Sequence, residues 1–161
     1  MRCLTCFKPA ESLTEKLSKE KLTIPASGLH CTLWGFNINE KNESDIVLAL
    51  SAIKAQPFSI GVIGYSKFDE DSHVLVLSKP QELQGLHEKI VRTVRPFDKN
   101  PSLFDLMVEQ YGLEKYNPHI TISRAPIVLQ QQYQGTLMPI SEYYLLKKKE
   151  GKWQEIGKFS L

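Results

Sequence analysis

Apolar and polar positions alternate, recur and break along this chain in a pattern that predicts strands and helices in mixed order. Residues 2–8 alternate as a strand does, and Pro9 closes the run. Between Pro9 and Leu22 the residues Leu13, Leu17 and Leu22 recur near the helical period, and Pro25, Ser27 and Gly28 break that helix. Leu29 to Phe36 reads as a second strand and Asn37 to Glu43 as a polar loop. A helix through Ile46, Leu48, Ile53 and Ala55 follows, capped by Ser44 or Asp45 and stopped by Pro57. Phe58 to Phe68 and His73 to Leu77 are β-rich, and the acidic turn Asp69-Glu70-Asp71-Ser72 predicts that they form a hairpin. Pro80 opens a helix whose buried face is Leu83, Leu86, Ile90 and Val94. Ser102 is the predicted cap of a further helix through Leu106 and Val108, ended by Gly112. A strand at His119 leads into a loop containing Gln130, Gln131, Gln132 and Gln134. Two strands, Ile140 to Lys148 and Lys152 to Leu161, then turn at Glu150-Gly151.

This order predicts an α+β fold, not a doubly wound one, and it has a twofold rhythm. His30-Cys31-Thr32-Leu33 and His119-Ile120-Thr121-Ile122 share one pattern: histidine, any residue, threonine, aliphatic. In an extended strand residues i and i+2 share a face, so each copy sets an imidazole beside a hydroxyl and sends its other residues into a core. Two such strands facing a common cleft would converge two imidazoles and two hydroxyls on one substrate. The plainer reading of the spacing is a pair of half-buried strand histidines bonded to their neighbours. Trp34, Phe36, Tyr65, Tyr116 and Phe7 are candidate base-stacking aromatics that core packing also explains, with Tyr65 preferred for its place between Gly64 and Ser66. His73 and His87 lack the motif and read as ordinary surface or boundary residues. Lys147-Lys148-Lys149 reads as a solvated hairpin end.

With 161 residues, residues 1–161 are expected to form one domain of two lobes sharing a core. The 42% of hydrophobic residues excludes disorder. A net charge of +2 argues against a protein that coats long nucleic acid but is compatible with a short oligonucleotide in a local pocket. No apolar run is long enough for a bilayer span, and the N-terminal stretch is too polar for a secretory signal; the expected setting is cytoplasmic, without membrane contact. Cys3, Cys6 and Cys31 are odd in number, which argues against a disulfide framework. Cys3 and Cys6 have the spacing of half a zinc site, but no second pair completes it. No metal or cofactor is expected, and the expected state is a monomer.

At these residues the sequence resembles the two-histidine (2H) phosphoesterase superfamily, which includes RNA 2′,3′-cyclic phosphodiesterases, also called 2′-5′ RNA ligases. Cys3 to Pro9 is similar to its opening strand, His30-Cys31-Thr32-Leu33 to its first motif and Pro118-His119-Ile120-Thr121-Ile122 to its second. The hairpin at 58–77 with the helix from Pro80 resembles its middle section, and Tyr143-Tyr144-Leu145-Leu146 through Trp153 to Phe159-Ser160-Leu161 its last hairpin. Leu29 stands where the cyclic-phosphodiesterase branch has proline. The resemblance implies a bilobal domain, two pseudo-symmetric halves of antiparallel strands flanked by helices around a central cleft. It implies metal-free cleavage of a phosphodiester, with His30 and His119 as acid and base in either order and Thr32 and Thr121 on the phosphoryl oxygens. Arg124 corresponds to a phosphate-contacting arginine of some relatives, although strand parity sets it opposite His119 unless the strand ends or bulges first. Arg124, Tyr65 and Trp34 are the expected substrate-binding residues. The expected substrate is RNA, an oligonucleotide or a cyclic nucleotide, bearing a 2′,3′-cyclic phosphate or a 2′,5′ linkage. The competing expectation is a non-catalytic module that binds RNA ends on the same fold.

Overall fold

The computed structural model describes residues 1–68 and 71–161; Asp69 and Glu70, half of the acidic turn, lie outside the described residues. The strands are β1 (Arg2–Phe7), β2 (Cys31–Asn37), β3 (Phe58–Phe68), β4 (Ser72–Leu77), β5 (His119–Ser123), β6 (Leu137–Ile140), β7 (Glu142–Lys149) and β8 (Lys152–Ser160). The helices are α1 (Glu11–Leu17), α2 (Glu43–Ser51), α3 (Gln81–Val94) and α4 (Pro101–Tyr111). The strands form one sheet in the order β6-β3-β4-β5-β2-β1-β7-β8, every neighbouring pair antiparallel.

That order is a palindrome in plan. The two histidine strands, β2 and β5, lie side by side at the centre, and three strands extend outward from each. β6 sits at one edge and β7 beside the other, yet only Ser141 separates them in the chain. In a flat sheet six strand spacings of about 4.8 Å, roughly 29 Å, would lie between them. The sheet is therefore curled, a half-barrel flanked by helices, and the α+β expectation holds.

Its core face carries Cys31, Leu33, Leu75, Leu77, Ile120 and Ile122, all buried in the main core, with α3 packed over β2. The residues Leu83, Leu86, Ile90 and Val94 are buried as their helical period predicts, each contributing about 1.5–3 kcal/mol by its removal from water. His87 lies on that same inner face and is fully buried, which corrects its reading as a boundary residue. Its Nδ1 donates to the Leu33 carbonyl at 2.9 Å and its Nε2 accepts the Leu113 N–H at 3.0 Å, so the neutral ring is satisfied at both ends. His73 is buried too, with Nδ1 bonded to the Tyr65 hydroxyl.

Three other expectations shift. α1 stops at Leu17, and the chain turns so that the buried Glu20 carboxylate can accept the N–H groups of Gln130 and Gln131 and the Tyr133 hydroxyl. Asn100, not Ser102, caps α4: its side chain accepts the Leu103 N–H, with Pro101 at the first helical position. The strand predicted over 140–148 divides at Ser141, with β6 pairing to β3 and β7 to β1. Pro139 has no N–H to donate to a ladder, and β6, which holds it, is an edge strand. Cys3, Cys6 and Cys31 are buried free thiols; Cys3 lies in the main core and Cys6 in a smaller cluster on the opposite face.

Candidate active site

β2 and β5 pair with Cys31 opposite Ile120, both fully buried. Continuing that register by one residue each way sets His30 across from Thr121 and Thr32 across from His119. These four residues are half-exposed on the face away from α3. Directly facing side chains lie about 4.5–5.5 Å apart at Cβ and diagonal ones about 7–8 Å. The imidazoles thus occupy one diagonal of a square and the hydroxyls the other.

The two histidines are held alike. Nδ1 of His30 lies 2.8 Å from the Gly28 carbonyl oxygen, and Nδ1 of His119 lies 2.8 Å from that of Asn117. A carbonyl only accepts, so Nδ1 carries a hydrogen in each ring and Nε2 is left to exchange a proton with a substrate. Among the described residues neither Nε2, nor the hydroxyl of Thr32 or Thr121, has a hydrogen-bond partner. Burial lowers the His30 pKa below the ordinary histidine value and neighbouring His119 adds to the effect, against the raising influence of the Gly28 carbonyl.

Each motif is followed by a bulge. Thr32 faces Cys6, but Trp34 faces Thr5; Thr121 faces Val74, but Ser123 faces His73. One extra residue reverses the face of everything beyond it. In β2 the reversal carries Trp34 into the core, 5% exposed and packed edge-on against His87 and Phe104. Trp34 is therefore not brought to the histidines, contrary to its expected substrate contact. In β5 the reversal turns Arg124 the other way, toward the histidine face, and its guanidinium donates to the Ser72 hydroxyl.

Tyr65 also departs from expectation. It pairs with Leu75, a core-face residue, and lines a separate cavity of about 440 Å³ with the glutamine loop. The aromatic ring in contact with a motif histidine on this face is Phe68, which pairs with Ser72 and meets His119 edge-on at 4.8 Å between centroids. Its place at the end of β3, beside a turn, was the available signal, but parity across the bulge of that strand, at Ile63, decides its face. Lys8 was missed as well. It follows Phe7, which faces Cys31, so it stands beside His30, with its ammonium 4.1 Å from the Tyr144 ring centroid. Beneath the square, the Tyr116 hydroxyl donates to the Thr32 carbonyl at 3.0 Å and its ring stacks on His87 at 4.1 Å, tying both motif strands to α3. Among the described residues no group of three His, Cys, Asp or Glu side chains could hold a metal ion, and no helix is long and apolar enough to cross a membrane.

A family model described as the 2'-5' RNA ligase superfamily matches residues 7–139. The chain belongs to that superfamily. No curated protein matches the chain in sequence. Among solved structures it is similar to TT0787 of Thermus thermophilus, with 21% identity, a TM-score of 0.74 and coverage of 100% of this chain and 98% of that one. It is also similar to E. coli LigT complexed with 3'-AMP, with 16% identity, a TM-score of 0.70 and coverage of 99% and 96%. A structure solved as a phosphoesterase matches at 16% identity, with a TM-score of 0.71 and coverage of 99% and 97%. At these identities the likeness is one of fold, and it extends over essentially the whole of the superfamily member described here.

Proposed function

We propose that this superfamily member is a metal-independent phosphodiesterase that opens 2′,3′-cyclic phosphates or cleaves 2′,5′ linkages at the ends of RNA or oligonucleotides. The observation that carries the reading is the crossed square of His30, Thr32, His119 and Thr121 with both Nε2 atoms unengaged. In-line attack at phosphorus needs a base on the side of the incoming oxygen and an acid on the side of the departing one. Diagonal histidines flanking a phosphate meet that need. The lowered pKa of His30 keeps its Nε2 unprotonated at neutral pH, which suits the base that takes a proton from water. His119 then delivers a proton from Nε2 to the leaving ribose oxygen. Thr32 and Thr121 donate to the non-bridging oxygens, where charge grows as the bond breaks.

Phe68 beside His119 offers an edge or face to the base next to the reacting phosphate, and Arg124 a cation at the rim. E. coli LigT has been solved with 3'-AMP, with phosphate and with ATP, which supports a nucleotide-binding cleft on this fold. The protein acts in this reading as a cytoplasmic monomer.

The test is a substrate panel in EDTA: 2′,3′-cyclic mononucleotides, an oligomer with a 2′,3′-cyclic end, and 2′,5′- and 3′,5′-linked oligomers. Turnover of one class that survives chelation and is lost in both His30→Ala and His119→Ala supports the proposal. Turnover abolished by EDTA contradicts the mechanism. Tight binding with no cleavage of any substrate makes the protein an RNA-end-binding module instead.

A further inference from the structure

The sheet face that carries the histidines continues over β1, β7 and β8 as a basic, aromatic wall. Strand pairing puts Cys6 beside Thr32, Tyr144 beside Cys6 and Lys158 beside Tyr144, in one row across the sheet. At the far end of β1 the core-facing Cys3 pairs with Lys147, and Lys148 pairs with Trp153, so Arg2, Lys148 and Trp153 form the last row of the histidine face. The Arg2 guanidinium and the Lys148 ammonium each lie 5.9 Å from the Trp153 ring centroid.

The cations of this wall are not equally engaged. Lys8 pairs with Glu155 and Lys158 with Glu142, each at 2.8 Å. Arg2 and Lys148 have no ion-pair partner among the described residues. The half-buried Trp153 thus sits between two uncompensated cations on a face that leads to the histidines. Stacking aromatics flanked by basic side chains are what single-stranded nucleic acid binds: bases stack and phosphates follow the charge.

Resting on the phosphodiesterase reading, we infer that this wall is a subsite for the nucleotides leading up to the reacting phosphate, so that the preferred substrate is a single strand of several nucleotides. Three strand spacings separate β2 from β8 and four residues of β1 separate Cys6 from Arg2. The Trp153 corner is therefore on the order of 20 Å from Thr32. A nucleoside held at the histidines does not reach it, a dinucleotide falls short, and a hexanucleotide spans it.

The experiment measures binding of uridine oligomers ending in a 3′-phosphate, one of the two monoesters that opening a 2′,3′-cyclic end can leave, and a species that is not turned over. Fluorescence anisotropy of a 5′-labelled hexanucleotide is read directly and in competition with the dinucleotide, uridine 3′-monophosphate and a hexamer of glutamate. Expected is an affinity at least tenfold tighter for the hexanucleotide than for the dinucleotide. Its salt slope steepens by about 0.7 for each further phosphate neutralised. Trp153→Ala, and separately Arg2→Glu with Lys148→Glu, reduce hexanucleotide affinity about tenfold, the loss expected for one stacked base. Equal affinity for the dinucleotide and the hexanucleotide, or an affinity for the glutamate hexamer matching that for RNA, overturns the inference. If cyclic mononucleotides are cleaved while length makes no difference, the inference falls and the proposed activity stands. If length matters and nothing is cleaved, the wall stands and the activity falls.

Discussion

The two halves of the molecule share a plan and differ in their walls. In each, a histidine donates through Nδ1 to the carbonyl two residues before it, a threonine follows at i+2, and a bulge follows the threonine. The neighbours then diverge. Where β1 offers Cys6 and Lys8, the matching positions of β4 are Val74 and Val76; where β7 offers Tyr144, β3 offers Ser66. One wall is cationic and aromatic, the other small and apolar, with Phe68 at its end and Arg124 at its rim. What the halves have in common is what symmetric attack and departure at one phosphorus require. Where they differ is where a substrate with two unlike ends is told apart.

Equivalence at the centre makes the largest prediction. His30→Ala and His119→Ala should each lower kcat about 10³-fold, the range for loss of a positioned acid or base. The double variant should be little worse than either, because the two act as a unit. A single variant retaining wild-type turnover breaks the symmetry outright. The support beneath the square can be broken next. His87→Leu leaves the Leu33 carbonyl and the Leu113 N–H buried without partners, and urea unfolding should show a loss of about 3 kcal/mol. Its pH signature is also fixed. Burial lowers the His87 pKa, so as pH falls below about 6.5 the unfolded chain takes up the proton first. That stability is present above the ordinary histidine value and is lost as pH falls, and His87→Leu should flatten the decline.

Thr32→Val and Thr121→Val should each cost about 10²-fold in kcat with little change in KM, as for removal of one donor to a developing oxyanion. Unequal losses would mean that one hydroxyl contacts a bridging oxygen instead. Phe68→Ala should raise KM about tenfold for a cyclic mononucleotide, the value of one stacked base; its match in the other half is Leu146 of β7. The smallest effect separates the two rings: the acid limb of kcat/KM should lie below the ordinary histidine value of about 6.5, because the base is the ring whose pKa burial lowers. In His30→Ala that limb should vanish from the residual rate.

Period-2 and period-3.6 patterning made most elements legible, and the paired H-x-T motifs located the central strands. The buried Leu83, Leu86, Ile90 and Val94 follow from spacing alone. What sequence could not show was parity after a bulge. Trp34 and Arg124 each sit two or three residues past a motif threonine, and one unpaired residue in each strand reversed both readings, taking Trp34 into the core and Arg124 toward the cleft. Tyr65 was preferred for its flanking Gly64 and Ser66, which do not report its face; it pairs with the core-face residue Leu75, and Phe68, three residues on, pairs with Ser72. His87 was misread because a histidine at the buried helical position looks polar in a pattern, whereas its two nitrogens are satisfied by backbone groups from β2 and the turn after α4.

The central claim is that two rings distant in the chain hold one phosphate between them. Nitrogen NMR of the imidazoles during titration with inorganic phosphate tests it directly. The Nε2 signals of His30 and His119 should move together along a single binding curve while those of His73 and His87 stay in place. A shift in only one of the pair, or two curves with different midpoints, would contradict the account.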